Sequence, residues 1–167
     1  MNQFDYMVLN AALAKGLGSD LARLITAQAR LESGDYSSNV FNRDNNLFGY
    51  KYVGQSGATQ GTAAPASEGG YYAHYATIAD SVNELVGWLI RRQNQGLFDI
   101  SNLTTPEAYA SALKSGGYFG ISAAEYAAGL KSKLQKIEGS NSAMDGTVYA
   151  VAIGAAFALL YYLKKRK

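Results

Sequence analysis

Apolar residues recur at helical spacing along most of the chain and lose that spacing in one long polar stretch. Between residues 20 and 33 they fall at Leu21, Leu24, Ile25 and Leu31, the i, i+3, i+4 and i+10 places of an amphipathic stripe. The i+7 place is Gln28. At 100° per residue Glu32 lies about 20° from both Leu21 and Ile25, so a carboxylate is aimed at the apolar side, one turn after Gln28 on the same face. Upstream, "MNQFDYMVLNAALAKGLG" reads as a first helix closed by the glycines at 16 and 18. Asp20 is expected to cap the second helix, and Gly34 to stop it.

Residues 34–76 are rich in Gly, Ser, Asn and Tyr and have no sustained period. They predict a long loop with short strands or a hairpin around 47–54 and 69–76, joined by a flexible "QSGATQGTAAPASEGG". Helical spacing returns with Ile78, Val82, Leu85, Val86 and Leu89, followed by Arg91 and Arg92 in a last turn and Gly96 beyond it. Trp88 is expected in the core. "TTPEAYASALKSGG" has Thr105 as cap and Pro106 at the first helical position. "SAAEYAAGLKSKLQKIE" opens on a capping box, Ser122 with Glu125, and its stripe is Tyr126, Leu130, Leu134 and Ile137.

After a polar linker at 138–146, Gly146 to Leu163 run without a charge and meet Lys164-Lys165-Arg166-Lys167 at once. As a helix this stretch spans roughly 27 Å, within the range for a bilayer. Tyr149, Tyr161 and Tyr162 stand where interfacial aromatics belong. A single membrane-spanning helix is therefore expected at 147–163, with a basic tail at 164–167. Gly146, Ala150, Gly154 and Ala158 form a small-residue stripe that suits helix–helix self-association. The organisation is then one domain at 1–137, a linker, a span and a tail.

Composition narrows the chemistry. The 167 residues include no cysteine, which rules out disulfides and thiolate metal sites, and one histidine, His74, which cannot by itself build a zinc centre. His74 is expected to be a surface or satisfied core residue, and no metal or organic cofactor is implied. Four of the 15 basic residues are the last four, which leaves 11 against 13 acidic groups in the body. Nothing there favours nucleic acid. Thirteen tyrosines suit carbohydrate, where a ring stacks on a sugar face and its hydroxyl hydrogen-bonds. No basic region precedes the first apolar residues, so the N-terminus does not read as a secretory signal.

A carboxyl held among apolar neighbours has its charged form disfavoured and carries a proton nearer to neutral pH, as a general acid for glycosidic cleavage must. Glu32 is a candidate for that role. On spacing alone it could instead cap a loop amide or pair with Arg30 or Arg43, and Gln28 could line a groove beside it or simply satisfy it. The neighbouring residues add to this. Ala27-Gln28-Ala29 with Leu31-Glu32-Ser33-Gly34, followed by Asn45-Asn46-Leu47-Phe48-Gly49 and Lys51, resembles the glucosaminidase family of peptidoglycan hydrolases (glycoside hydrolase family 73). Weaker echoes follow in "YAHYATIADSVNELVGWL" and "GGYFGISAAEYAAGL", and the likeness covers roughly residues 20 to 135.

The resemblance implies a mainly α, lysozyme-like helical domain with a small β-hairpin or irregular lobe, and Glu32 as the acid. It implies that Asn45, Asn46, Phe48 and Gly49 contact the sugar, with Tyr75 and Tyr118 at the cleft. An inverting mechanism needs a second carboxylate, which the family places in its hairpin. Glu68 is the only Glu in residues 33–83; Asp35 and Asp44 are the alternatives. The expected function is a membrane-anchored hydrolase of peptidoglycan glycan strands. A lytic transglycosylase and an inactive glycan-binding or structural module are the alternatives. The expected placement is the internal membrane of a lipid-containing phage virion or the bacterial envelope.

Overall fold

The computed structural model describes residues 1–139 of the chain. Helix α1 (Gln3–Ala14) starts with a reciprocal capping box between Asn2 and Asp5. It buries Asp5, Val8 and Ala12 against α2 (Ser19–Glu32) and also packs on α4 (Ile78–Asn94). Helix α2 is the axis of the domain: every residue from Leu24 to Arg30 is buried. Alanines at 22, 27 and 29 let neighbouring helices approach it closely, so even Gln28 and Thr26 lie inside. The cap of α2 is Gly18 and not Asp20. Asp20 sits within the first turn, where its charge complements the positive end of the helix dipole without a side-chain cap bond.

A buried charge cluster ties α1 to α2. Asp5 takes a bidentate pair from Arg30, at 2.7 Å on each oxygen, and a third hydrogen bond from the Tyr36 hydroxyl at 2.9 Å. Phe4, Tyr36 and Phe41 pack around it with centroids 5.3–5.6 Å apart. Phe41 belongs to a short helix, α3 (Asn39–Asp44), inside the stretch expected to be loop. Ser38 caps it, and Asn45 ends it in the left-handed conformation. Six residues are too few to show a period, so only the single buried aromatic marks it.

The sheet is an antiparallel pair, β1 (Ala58–Ala63) and β2 (Tyr71–Tyr75). The second strand falls where expected. The first does not: it lies in the segment read as flexible, while 47–54 contributes one antiparallel bridge, Lys51 to Tyr72, on the other edge of β2. "ATQGTA" has no large apolar residue, and it is held by pairing and by Asp44. The register slips between Gln60 and Ala63. At that irregularity both oxygens of buried Asp44 accept the Thr62 N–H, at 3.1 and 3.2 Å. A side chain at Gly61 would collide with the same carboxylate, its Cβ 2.5 Å from Oδ1.

The expected stripe of α4 is buried throughout, and Thr77 and Asp80 form a capping box at its start. A short 3-10 turn (Ile100–Asn102) leads to α5 (Pro106–Ser115), capped by Thr105. Helix α6 covers residues 123–139, and Ser122 accepts the Glu125 N–H at its start. Its stripe buries Tyr126, Leu130 and Ile137, with Leu134 half-buried. Among the described residues no helix is long and apolar enough to cross a membrane. The span expected at 147–163, its small-residue stripe and the basic tail lie outside them.

Candidate active site

The C-terminal end of α2 opens onto a trough of about 380 Å³. Glu32, the last residue of the helix, stands at its edge. The loop after α3 supplies Phe48, Gly49, Tyr50 and Lys51, α4 supplies Trp88, and the turn after α5 supplies Gly117, Tyr118 and Phe119. Glu68 and Tyr72 come from the hairpin. The rings brace one another: Tyr118 meets Trp88 and Tyr50 edge-on, at 5.4 and 6.1 Å, and its hydroxyl donates to the Phe48 carbonyl at 3.1 Å. Trp88 is half-buried wall rather than core. It fits because residue 116 is glycine, where a Cβ would sit 2.4 Å from the indole.

Glu32 is an exposed residue, yet protein packs around much of its carboxyl, as at the lip of a trough. Burial pushes its pKa above the usual range, and a hydrogen bond donated by the Tyr126 hydroxyl to Oε1 pulls the other way. Tyr126 stacks on Phe119, with centroids 4.0 Å apart. Its helix reaches α2 across Gly129, where a Cβ would stand 3.1 Å from Leu31. Arg30 is committed to Asp5 and Asp35, so it does not neutralise Glu32. Nor does Gln28 line the trough; it accepts the hydroxyl of fully buried Tyr109 at 2.5 Å.

The second carboxylate lining the trough is Glu68. It is exposed, and Lys51 donates to its Oε2 at 2.8 Å, joined by the Tyr72 hydroxyl at 3.2 Å. Those two contacts hold its pKa below the usual range. The alternatives lie elsewhere. Asp44 is buried under the hairpin, 3.4 Å from His74 Nδ1. Asp35 is gripped by Arg30, Lys133 and Lys136; burial would raise its pKa, but these cations outweigh it and hold it low.

Of the expected sugar contacts, Phe48, Gly49 and Tyr118 line the trough. Asn45 and Asn46 are committed to the backbone instead. Asn45 donates to the carbonyls of Tyr75 and Ala76. Buried Asn46 donates to those of Tyr50 and Ala73 and accepts the Tyr50 N–H. They shape the loop that presents Phe48 and Gly49. Tyr75 is 1% exposed and absent from the trough, a core residue whose hydroxyl burial pushes up to about 12. Tyr126 in contact with Glu32, and Tyr50, Tyr72, Trp88 and Phe119 in the walls, were not singled out by sequence reasoning. Tyr126 lies 94 positions from Glu32, and its helical stripe already accounted for it as core.

A larger hollow, about 540 Å³, lies at the opposite end of α2. Asp20 and Asp99 are its only ionisable lining groups, and it has no aromatic ring. Hydrogen bonds from Ser101 hold the pKa of Asp99 below the usual range. Among the described residues no group of three or more His, Cys, Asp or Glu is placed to hold a metal.

Comparison with curated proteins gave no match. Three solved structures share the fold. The peptidoglycan hydrolase from Sphingomonas sp. A1 is 23% identical with a TM-score of 0.58, over 76% of this chain and 86% of that one. The glycoside hydrolase domain from Salmonella typhimurium FlgJ is 25% identical with a TM-score of 0.58, over 84% and 87%. A type VI secretion system effector-immunity complex from Pseudomonas protegens is 17% identical with a TM-score of 0.52, over 80% and 89%. The family model described as glucosaminidase, mannosyl-glycoprotein endo-beta-N-acetylglucosaminidase, matches residues 11–139. With most of its length inside that match, the chain belongs to the glucosaminidase family of glycoside hydrolases.

Proposed function

We propose that the protein hydrolyses the β-1,4 glycan strand of peptidoglycan, as an N-acetylglucosaminidase or muramidase, with Glu32 as general acid. One observation carries this reading: the surroundings of Glu32 favour its neutral form while its edge stays open to a sugar-sized, aromatic trough. Protonated Glu32 gives its proton to the glycosidic oxygen as the bond to the anomeric carbon breaks. The carboxylate left behind is stabilised by the Tyr126 hydroxyl, a contact that favours the charged form. Glu68, kept ionised by Lys51, takes a proton from the water that attacks the anomeric carbon from the opposite face. Tyr118 and Trp88, half-buried in the trough wall, supply aromatic surface for the sugar. The names of two fold relatives, a peptidoglycan hydrolase and a glycoside hydrolase domain, support the substrate class.

The full-length protein should clear purified peptidoglycan, and Glu32→Gln should abolish clearing with little change in thermal stability. Inactivity of the wild type on several wall types would sink the reading. Fragment masses identify the bond, since reducing GlcNAc, reducing MurNAc and anhydro-MurNAc ends differ. The anchor and its setting belong to the same proposal. The uncharged stretch at 147–163 and the basic tail after it support a single span that tethers the hydrolase at a membrane. Detection in purified virions of a lipid-containing phage, against detection only in host envelope, tests the virion placement.

A further inference from the structure

Glu68 is an exposed residue on the turn between β1 and β2, and something must aim it. That turn is closed by few bonds: Ala64 N–H to the Gly70 carbonyl at 3.0 Å, and the amides of Glu68 and Gly69 to Pro65. Gly69 and Gly70 both have positive φ. An unrestrained glutamate on such a turn loses its orientation to rotamer freedom. Lys51 supplies the restraint. Its Nζ lies 2.8 Å from Glu68 Oε2, 3.4 Å from the Gly69 carbonyl and 4.3 Å above the Tyr72 ring, while the Tyr72 hydroxyl reaches the same Oε2 at 3.2 Å. Both contacts fall on Oε2, so Oε1 is the oxygen left to accept a proton.

The backbone of Lys51 is itself fixed. It forms the bridge to Tyr72, flanked by Tyr52 N–H to Tyr71 and Ala73 N–H to Tyr50, both at 2.8 Å. Asn46 grips Tyr50 from below through its N–H and its carbonyl. A continuous path therefore runs from the loop that floors the trough to the carboxylate at its rim. An exposed ion pair of this kind adds little to folding stability, so its worth lies in where it holds the carboxylate.

We propose that Lys51 is a positioning residue for the hydrolysis, holding Glu68 at the rim of the trough with one oxygen engaged and the other presented to water. This rests on the reading of Glu68 as general base. The titratable groups facing Glu68 are Lys51 and Tyr72 on the hairpin side, with Glu32, Tyr50 and Tyr118 lining the same trough. Without Lys51 the carboxyl returns toward its ordinary range, and the base is lost to protonation at a higher pH.

The test compares pH profiles of the full-length protein on peptidoglycan. In Lys51→Met, kcat should fall on the order of tenfold to a hundredfold with KM and Tm little changed. The acid limb of kcat should move toward neutral pH. Lys51→Arg should restore the limb, and Tyr72→Phe should move it in the same direction by less. If Glu68→Gln is inactive but Lys51→Met and Tyr72→Phe leave the acid limb in place, the positioning role is overturned and the base survives. If Glu68→Gln keeps wild-type activity, base and positioning role fall together.

Discussion

Two opposing influences meet at the Glu32 carboxyl, and each can be removed by itself. Burial favours the neutral acid; the Tyr126 hydrogen bond favours the anion. Tyr126→Phe removes only the second, so the pKa of Glu32 should rise further. The alkaline limb of kcat/KM, set by loss of the acid's proton, should then move to higher pH, with kcat lower by roughly tenfold to a hundredfold. The same carboxyl has a signature in stability. A carboxyl whose folded pKa is raised contributes stability present below its unfolded value and lost as pH rises through the folded one. Glu32→Gln cannot ionise. Its Tm should match the wild type in acid and equal or exceed it at neutral pH, a comparison that scanning calorimetry over a pH series makes directly. A Tm deficit that grows toward neutral pH would contradict the raised pKa.

At the scale of elements, the first helix is joined to the axial helix by charge as well as by packing. Asp5 is fully buried under Arg30, Asn2 and Tyr36. Burial alone would raise its pKa, but these three partners reverse that and hold it below the usual range. Asp5→Ala removes the bidentate partner of the Arg30 guanidinium and leaves it only the 3.2 Å contact to Asp35, which should cost about 3 kcal/mol in denaturant unfolding. A carboxyl with a depressed folded pKa stabilises above its unfolded value and loses that contribution as pH falls through the folded one. The wild-type advantage over Asp5→Ala should therefore shrink on acidification. Because α2 also carries Glu32, activity should fall with folding at this site, while the pH profile of the remaining folded enzyme keeps its limbs.

For the whole molecule, the proposed arrangement is a hydrolase domain tied to a bilayer by the stretch at 147–163. A charge at the middle of a membrane span costs about 2.5–3.5 kcal/mol on insertion scales. Ala155→Arg should therefore shift the full-length protein from the membrane to the soluble fraction in flotation assays, while its clearing of solubilised peptidoglycan stays intact. Equal flotation of variant and wild type would argue against the span.

The longer helices were legible along the chain because they announce themselves locally; the six residues of α3 did not. Thr77 with Asp80 and Thr105 with Pro106 cap helices whose apolar positions keep a 3.6-residue period, and those residues are the ones buried. Glu32 of the Leu-Glu-Ser-Gly segment and Phe48 and Gly49 of the Asn-Asn-Leu-Phe-Gly segment line the trough, and a helix end and a tight loop are each contiguous in sequence. The first strand was not legible: "ATQGTA" has no apolar alternation, and it is held by β2 and by Asp44, 18 positions before Thr62. The same limit hid the partners of both carboxylates. Tyr126 meets Glu32 across 94 positions, and Lys51 meets Glu68 across 17. Asn45, Asn46 and Tyr75 showed the converse, polar or aromatic residues at motif positions that the fold turned to backbone or core. Local periodicity and capping depend on neighbours a turn away and are written in the sequence; which side chain faces solvent, trough or carbonyl depends on chain segments that only folding brings together.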